Sequence, residues 1–180
     1  MHEILLNTYQ FGFPRSDICS IFDTLAININ NMECSTEETR AGNIVCLSFD
    51  YMQNLPLSHL KTNAIFYSCQ LWHNVFGVHD LGSDNVTVFT YHEGDGTKGS
   101  NEVTSMLLTY INNNNEPLDN LVLILISDSC CGQNKNQTMV HFLFALVHCF
   151  HVFKTVMYLF LVRGHSYLPN DQAFSIIDKK

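Results

Sequence analysis

Three apolar runs of strand length limit what this chain can fold into: residues 43–51 (NIVCLSFDY), 121–127 (LVLILIS) and 155–162 (TVMYLFLV). None alternates strictly with polar residues, and continuous runs of this kind suit strands covered on both faces. Segments of helical character separate them. Residues 100–111 follow the loop GDGTKGS, with Ser100 as a cap and Glu102 in the first turn, and the four asparagines at 112–115 with Pro117 end the helix. Residues 136–150 form a second, apolar helix. Crossovers of this length join parallel strands. Upstream, residues 76–80 and 85–92 flank LGSD and read as a hairpin. Residues 63–75 place Ile65, Phe66, Cys69, Leu71, Trp72 and Val75 at helix-like spacing, with Asn63 as a candidate cap. A last helix starts at Asp171, after Pro169. The expected class is α/β: a mixed sheet of one antiparallel hairpin plus parallel strands, with helices on both faces.

Hydrophobic residues make up 46% of the 180, so a sizeable core can form, and 13 phenylalanines make it aromatic-rich. Residues 1–42 are polar and Asn-rich with no sustained period. They read as an N-terminal appendage to a domain spanning residues 43–180. Only 14% of residues are charged, so the surface is sparse in charge and self-association is an open option. The net charge of −8 counts against strong nucleic-acid binding by this chain alone, because phosphate neutralisation needs a basic face. Seven cysteines, an odd number at irregular spacing, fit reduced thiols, and the adjacent Cys130 and Cys131 suit a buried loop. Residues 1–9 carry Glu3 and no long apolar run, so the expected location is nuclear or cytoplasmic, not secreted. The apolar stretch 139–162 is interrupted by His141, His148, His151 and Lys154, which argues against a membrane span. His141, His148 and His151 share a helical stretch, but its neighbours Phe142, Leu143, Phe144, Leu146 and Val147 are core-like, which favours packing over metal ligation.

Three aspartates stand where such a sheet does chemistry. Asp50 closes the first run, Asp128 directly follows LVLILIS, and Asp171 opens the last helix. Open α/β sheets bind ligands beyond the carboxyl ends of their strands. Two neighbouring strands ending in Asp set two carboxylates side by side, and Mg²⁺ or Mn²⁺ suits such hard oxygen donors. The competing reading of each acid is a turn or helix cap. Glu102 is a fourth acid, and a partner for the helix dipole is its preferred role.

The stretches FDYMQNLPL, FYSCQLWHNVFGVHD, KGSNEV, SDSCCGQNKN and GHSYLPNDQAF resemble a family of invertebrate transposon-derived proteins with an RNase H-like, DDE-type transposase or integrase core. The resemblance runs from about Asn43 to the end of the chain. It implies a Mg²⁺- or Mn²⁺-dependent nuclease or transposase acting on DNA, with no small-molecule cofactor. Asp50, Asp128 and Asp171 would hold the metal. Glu102 and His165 join them as catalytic candidates. Gln133, Asn134, Lys135 and Asn136 become nucleic-acid contacts, although the amides can equally cap the helix that follows. Cys19 has Phe22 rather than Cys three positions on, so no zinc site is expected. Relatives of this kind extend further at both ends, which makes a shortened copy the expectation and a non-catalytic remnant acting as an interaction module the alternative.

Overall fold

The computed structural model describes residues 9–11, 44–56, 71–114, 122–161 and 174–175. Among these residues seven strands form one sheet: β1 (Tyr9–Phe11), β2 (Ile44–Tyr51), β3 (Leu55–Pro56), β4 (Trp72–Asp80), β5 (Asn85–His92), β6 (Val122–Ser127) and β7 (Thr155–Phe160). Helix α1 (Ser100–Asn114) joins β5 to β6, and α2 (Gln137–His148) joins β6 to β7. The spatial order is β1-β7-β6-β2-β4-β3, with β5 on the outer side of β4. Strands β2, β6 and β7 are mutually parallel. β4 is antiparallel to β2 and to β5, so β5 points the same way as β2. The fold is therefore α/β with a mixed sheet, as the apolar runs require.

The two long helices α1 and α2 pack on the same face of the sheet. The crossovers β5–α1–β6 and β6–α2–β7 travel in the same direction across the sheet, and a right-handed connection then places both on the same side. α1 buries Val103, Leu107, Tyr110 and Ile111, and α2 buries Met139, Leu143, Leu146 and Val147. Each set follows the i, i+4, i+7, i+8 stripe of an amphipathic helix. They meet Leu47, Phe49, Phe76, Leu123, Leu125, Tyr158 and Phe160 from the sheet. A fully buried Leu or Phe contributes about 1.5–3 kcal/mol by leaving water. Phe49 is the aromatic centre, 5.8 Å from the Phe76 ring and 6.2 Å from Tyr158. The opposite face is also buried, through Cys46, Ile124, Ile126, Met157 and Leu159. The helical residue Phe174 packs on that face, against Met52 and Val75.

Three local expectations change. Residues 72–75 are strand, not helix, because β4 pairs with β5 from His73↔His92 to Asp80↔Asn85. A cross-strand partner of matched length outweighs a helix-like spacing of apolar residues. Ser100 is the first helical residue rather than the cap, and the Gly99 carbonyl accepts the Val103 N–H at 3.2 Å. Tyr9–Phe11, inside the apparently unpatterned N-terminal stretch, adds an antiparallel strand to β7. Among the described residues no helix is long and apolar enough to cross a membrane.

Candidate functional site

Four strands, β2, β5, β6 and β7, end at the same edge of the sheet, and the loops before α1 and α2 leave from it. The β2–β6 ladder pairs Ile44 with Val122 and continues to Ser48 with Ile126. Continued two residues past its last pair, that register runs toward Asp50 on one chain and Asp128 on the other. Both acids therefore belong to the same carboxyl edge, at the ends of neighbouring strands.

Asp128 is held from the loop that follows it. The Cys130 N–H donates to its Oδ1 at 3.2 Å, and the Asn134 amide donates to the same oxygen. Among the described residues Oδ2 has no donor, which leaves one carboxylate oxygen for a ligand. Asn134 is only 3% exposed, and its backbone is pinned too: its N–H donates to the Cys130 carbonyl at 2.8 Å. The Tyr158 hydroxyl donates to the Asn134 carbonyl at 3.3 Å and lies 2.9 Å from the Ser127 hydroxyl. Burial, with help from the Asp128 charge and against the Ser127 hydrogen bond, raises the Tyr158 phenol above its ordinary range. It therefore stays a neutral donor at neutral pH. A buried polar chain thus fixes the second carboxylate of the pair.

Asp50 has a different neighbourhood. Its Oδ1 accepts the Tyr51 N–H at 2.7 Å. The Lys98 ammonium, from the loop between β5 and α1, feels the Asp50 carboxylate, donates to the Met52 carbonyl at 2.7 Å and lies 4.9 Å from the Tyr51 ring centre. Desolvation lowers the Lys98 pKa, and Asp50 opposes that shift. Lys98 was visible in the sequence only as part of KGSNEV. Its one distinguishing signal is that no other cation stands between Asn85 and Asn114.

The remaining sequence candidates divide clearly. Glu102 serves its own loop, accepting from the Thr97 N–H at 3.0 Å and the Thr97 hydroxyl at 3.1 Å. Desolvation pushes its carboxyl up, but hydrogen bonds from its own backbone, Thr97 and Gly99 outweigh that and hold it below the ordinary carboxylate range. Asn136 is the N-cap of α2, accepting the Met139 N–H at 3.1 Å. Lys135 extends over the Phe160 ring, 5.6 Å from its centre. Asn134, Lys135 and Asn136 line a cleft of about 430 Å³ floored by Tyr158 and Phe160. Gln133 is half-buried in the same loop. His165 and Asp171 lie outside the described residues. Cys131 is exposed and Cys130 half-buried, so this pair is not in a buried loop. His141, His148 and His151 are likewise exposed, not packed into the core.

Among the described residues no three His, Cys, Asp or Glu side chains converge. Two carboxylates suffice for Mg²⁺, which is commonly held by one or two of them together with waters and substrate phosphates. Asp50 and Asp128 can supply that pair. No curated protein and no solved structure matches the chain. Residues 65–180 match the family described as Domain of unknown function (DUF7869), and the chain belongs to that family.

Proposed function

We propose that the chain carries an RNase H-like, transposase- or nuclease-type domain that cleaves or transfers phosphodiester bonds of DNA with Mg²⁺ or Mn²⁺. The observation that carries this reading is the parallel β2–β6 register, which runs toward Asp50 and Asp128 at one carboxyl edge, with Asp128 Oδ2 given no donor among the described residues. The sheet supports it as well: an antiparallel hairpin flanks one side of β2 and parallel crossover strands the other, as an RNase H-like core requires. Asp50 and Asp128 would hold the metal. By the resemblance Asp171 would be a third ligand. Phe174, three residues beyond it in the chain, is anchored on Met52 and Val75, close in sequence to Asp50.

When bound, the metal supplies charge stabilisation at the phosphoryl oxygens and a water of lowered pKa. The protein groups do the positioning. Asn134 and the Cys130 N–H aim Asp128, and the Tyr158–Ser127 pair keeps that loop from shifting. Lys135 supplies positive charge at the cleft, where a DNA backbone would pass, and Gln133 offers an amide to it. His165 remains a candidate for orienting a carboxylate. With a net charge of −8, DNA affinity is expected to be weak and strongly dependent on ionic strength.

The test is Mn²⁺ titration of the whole chain by calorimetry or electron paramagnetic resonance, with cleavage of a DNA duplex read in parallel. Saturable binding that Asp128→Asn and Asp50→Asn each weaken supports the reading. A folded chain that binds no Mn²⁺ at millimolar concentration sinks it. That outcome favours a non-catalytic remnant acting as an interaction module, a second reading supported by Lys98, whose ammonium already offsets Asp50.

A further inference from the structure

We propose that Lys98 is the substrate-binding cation of this site, its ammonium receiving a non-bridging oxygen of the phosphodiester beside Asp50. The proposal rests on the reading of the site given above. An ammonium has three donors. One of them is used on the Met52 carbonyl at 2.7 Å, which holds the charge at the end of β2 and leaves two. The Tyr51 ring, 4.9 Å away, walls one side.

The loop that carries Lys98 is built to stay in place. Thr97, just before it, is held at three points. Its N–H and hydroxyl donate to Glu102, at 3.0 and 3.1 Å, and its carbonyl accepts the Tyr91 hydroxyl at 2.6 Å. Tyr91 in turn lies 2.8 Å from the Tyr51 hydroxyl. At Gly99, just after it, a Cβ would meet Glu102 Oε2 at 2.8 Å, so a side chain there would have to displace the carboxylate that holds Thr97. An exposed lysine ordinarily keeps its rotamer freedom, and a tethered one has lost it before any ligand arrives. Such preorganisation beside a carboxylate pair suits an anionic ligand whose charge must be met without displacing the metal ligands.

A lysine that only braces the fold and a lysine that binds substrate predict different signs. Positive charge near Asp50 repels a divalent cation and attracts a phosphodiester. Replacing it with a neutral stem should therefore tighten one ligand and loosen the other. In the full chain, Lys98→Met is expected to strengthen Mn²⁺ binding about threefold, and to weaken binding of a short single-stranded DNA oligonucleotide, measured in Ca²⁺, about tenfold. Lys98→Arg, which keeps the charge, should bind the oligonucleotide within about threefold of the parent chain. Equal oligonucleotide affinity for Lys98→Met and the parent overturns the proposal. So does parallel loss of both ligands in Lys98→Met with the loss uncorrected by Lys98→Arg, which is the mark of a bracing role. If the parent chain binds no Mn²⁺ yet binds the oligonucleotide through Lys98, the metal-dependent reading fails and this assignment stands.

Discussion

Two pairs of acids lie at opposite ends of the same sheet, and their uses differ. At the β4–β5 hairpin, Asp80 spends both carboxylate oxygens within the turn: Oδ1 accepts the Gly82 N–H at 2.9 Å and Oδ2 the Ser83 hydroxyl at 2.7 Å. Asp84, in the left-handed region at φ 58°, pairs with His79 at 2.8 Å. At the carboxyl edge, Asp128 has its two protein donors on one oxygen, and Asp50 lies near the end of the neighbouring strand β2. The difference follows from what comes after each strand. A tight reversal offers backbone N–H groups and hydroxyls within three residues, and a carboxylate there is consumed locally. After β6 a crossover to the parallel strand β7 carries the chain away, so among the described residues Asp128 keeps one oxygen without a protein donor.

The largest effect that tests this contrast is on chemistry. Asp128→Asn should lower metal-dependent DNA cleavage by roughly 10²-fold or more, whereas Asp80→Asn should leave it unchanged. Equal losses in the two variants would erase the distinction between the two ends. Next comes Asn134→Ala, which removes the amide that aims Asp128. Divalent-cation affinity should fall about 10- to 100-fold, and thermal unfolding should register a loss of about 1–3 kcal/mol from the buried groups left unpaired. Asp80→Ala should cost about 1 kcal/mol of stability, read by denaturant titration, with cation affinity untouched.

The smallest effect concerns Glu102, which behaves like a turn acid although it lies at the carboxyl edge. Its carboxyl is held below the ordinary value of 4.5 in the folded chain. A group depressed in this way adds stability that is present above the unfolded value and lost as pH falls through the folded one. The stability difference between the parent and Glu102→Gln should therefore be constant near neutral pH and shrink as the solution is acidified below about 4.5. A difference that persists unchanged at low pH would show that packing against Gly99, not the charge, is what Glu102 contributes.

The fold was legible where burial dictated residue type over a whole element. LVLILIS and TVMYLFLV could be little other than buried strands, and NVTVFTYH with LGSD before it marked the hairpin. Residues 72–75 were misleading because a period near 3.6 and a partnered strand can share the same apolar positions over a short stretch. The strand Tyr9–Phe11 is three residues long, too short to show any period. Asn136 was ambiguous for a different reason: an amide that caps a helix and one that meets phosphate are the same side chain.

The sequence by itself determined that this chain builds a mixed α/β sheet and that two of its strands end in aspartate, because apolar run length and the following polar residue are local facts. Which acids meet was decided only by tertiary structure. The parallel β2–β6 register carried Asp50 and Asp128 to the same edge. The common direction of two right-handed crossovers put α1 and α2 on one face. Folding of the β5–α1 loop brought Lys98 to Asp50 across 48 residues of sequence. Contacts of that range leave no periodic trace, since they depend on where distant elements stop rather than on what any one element is made of.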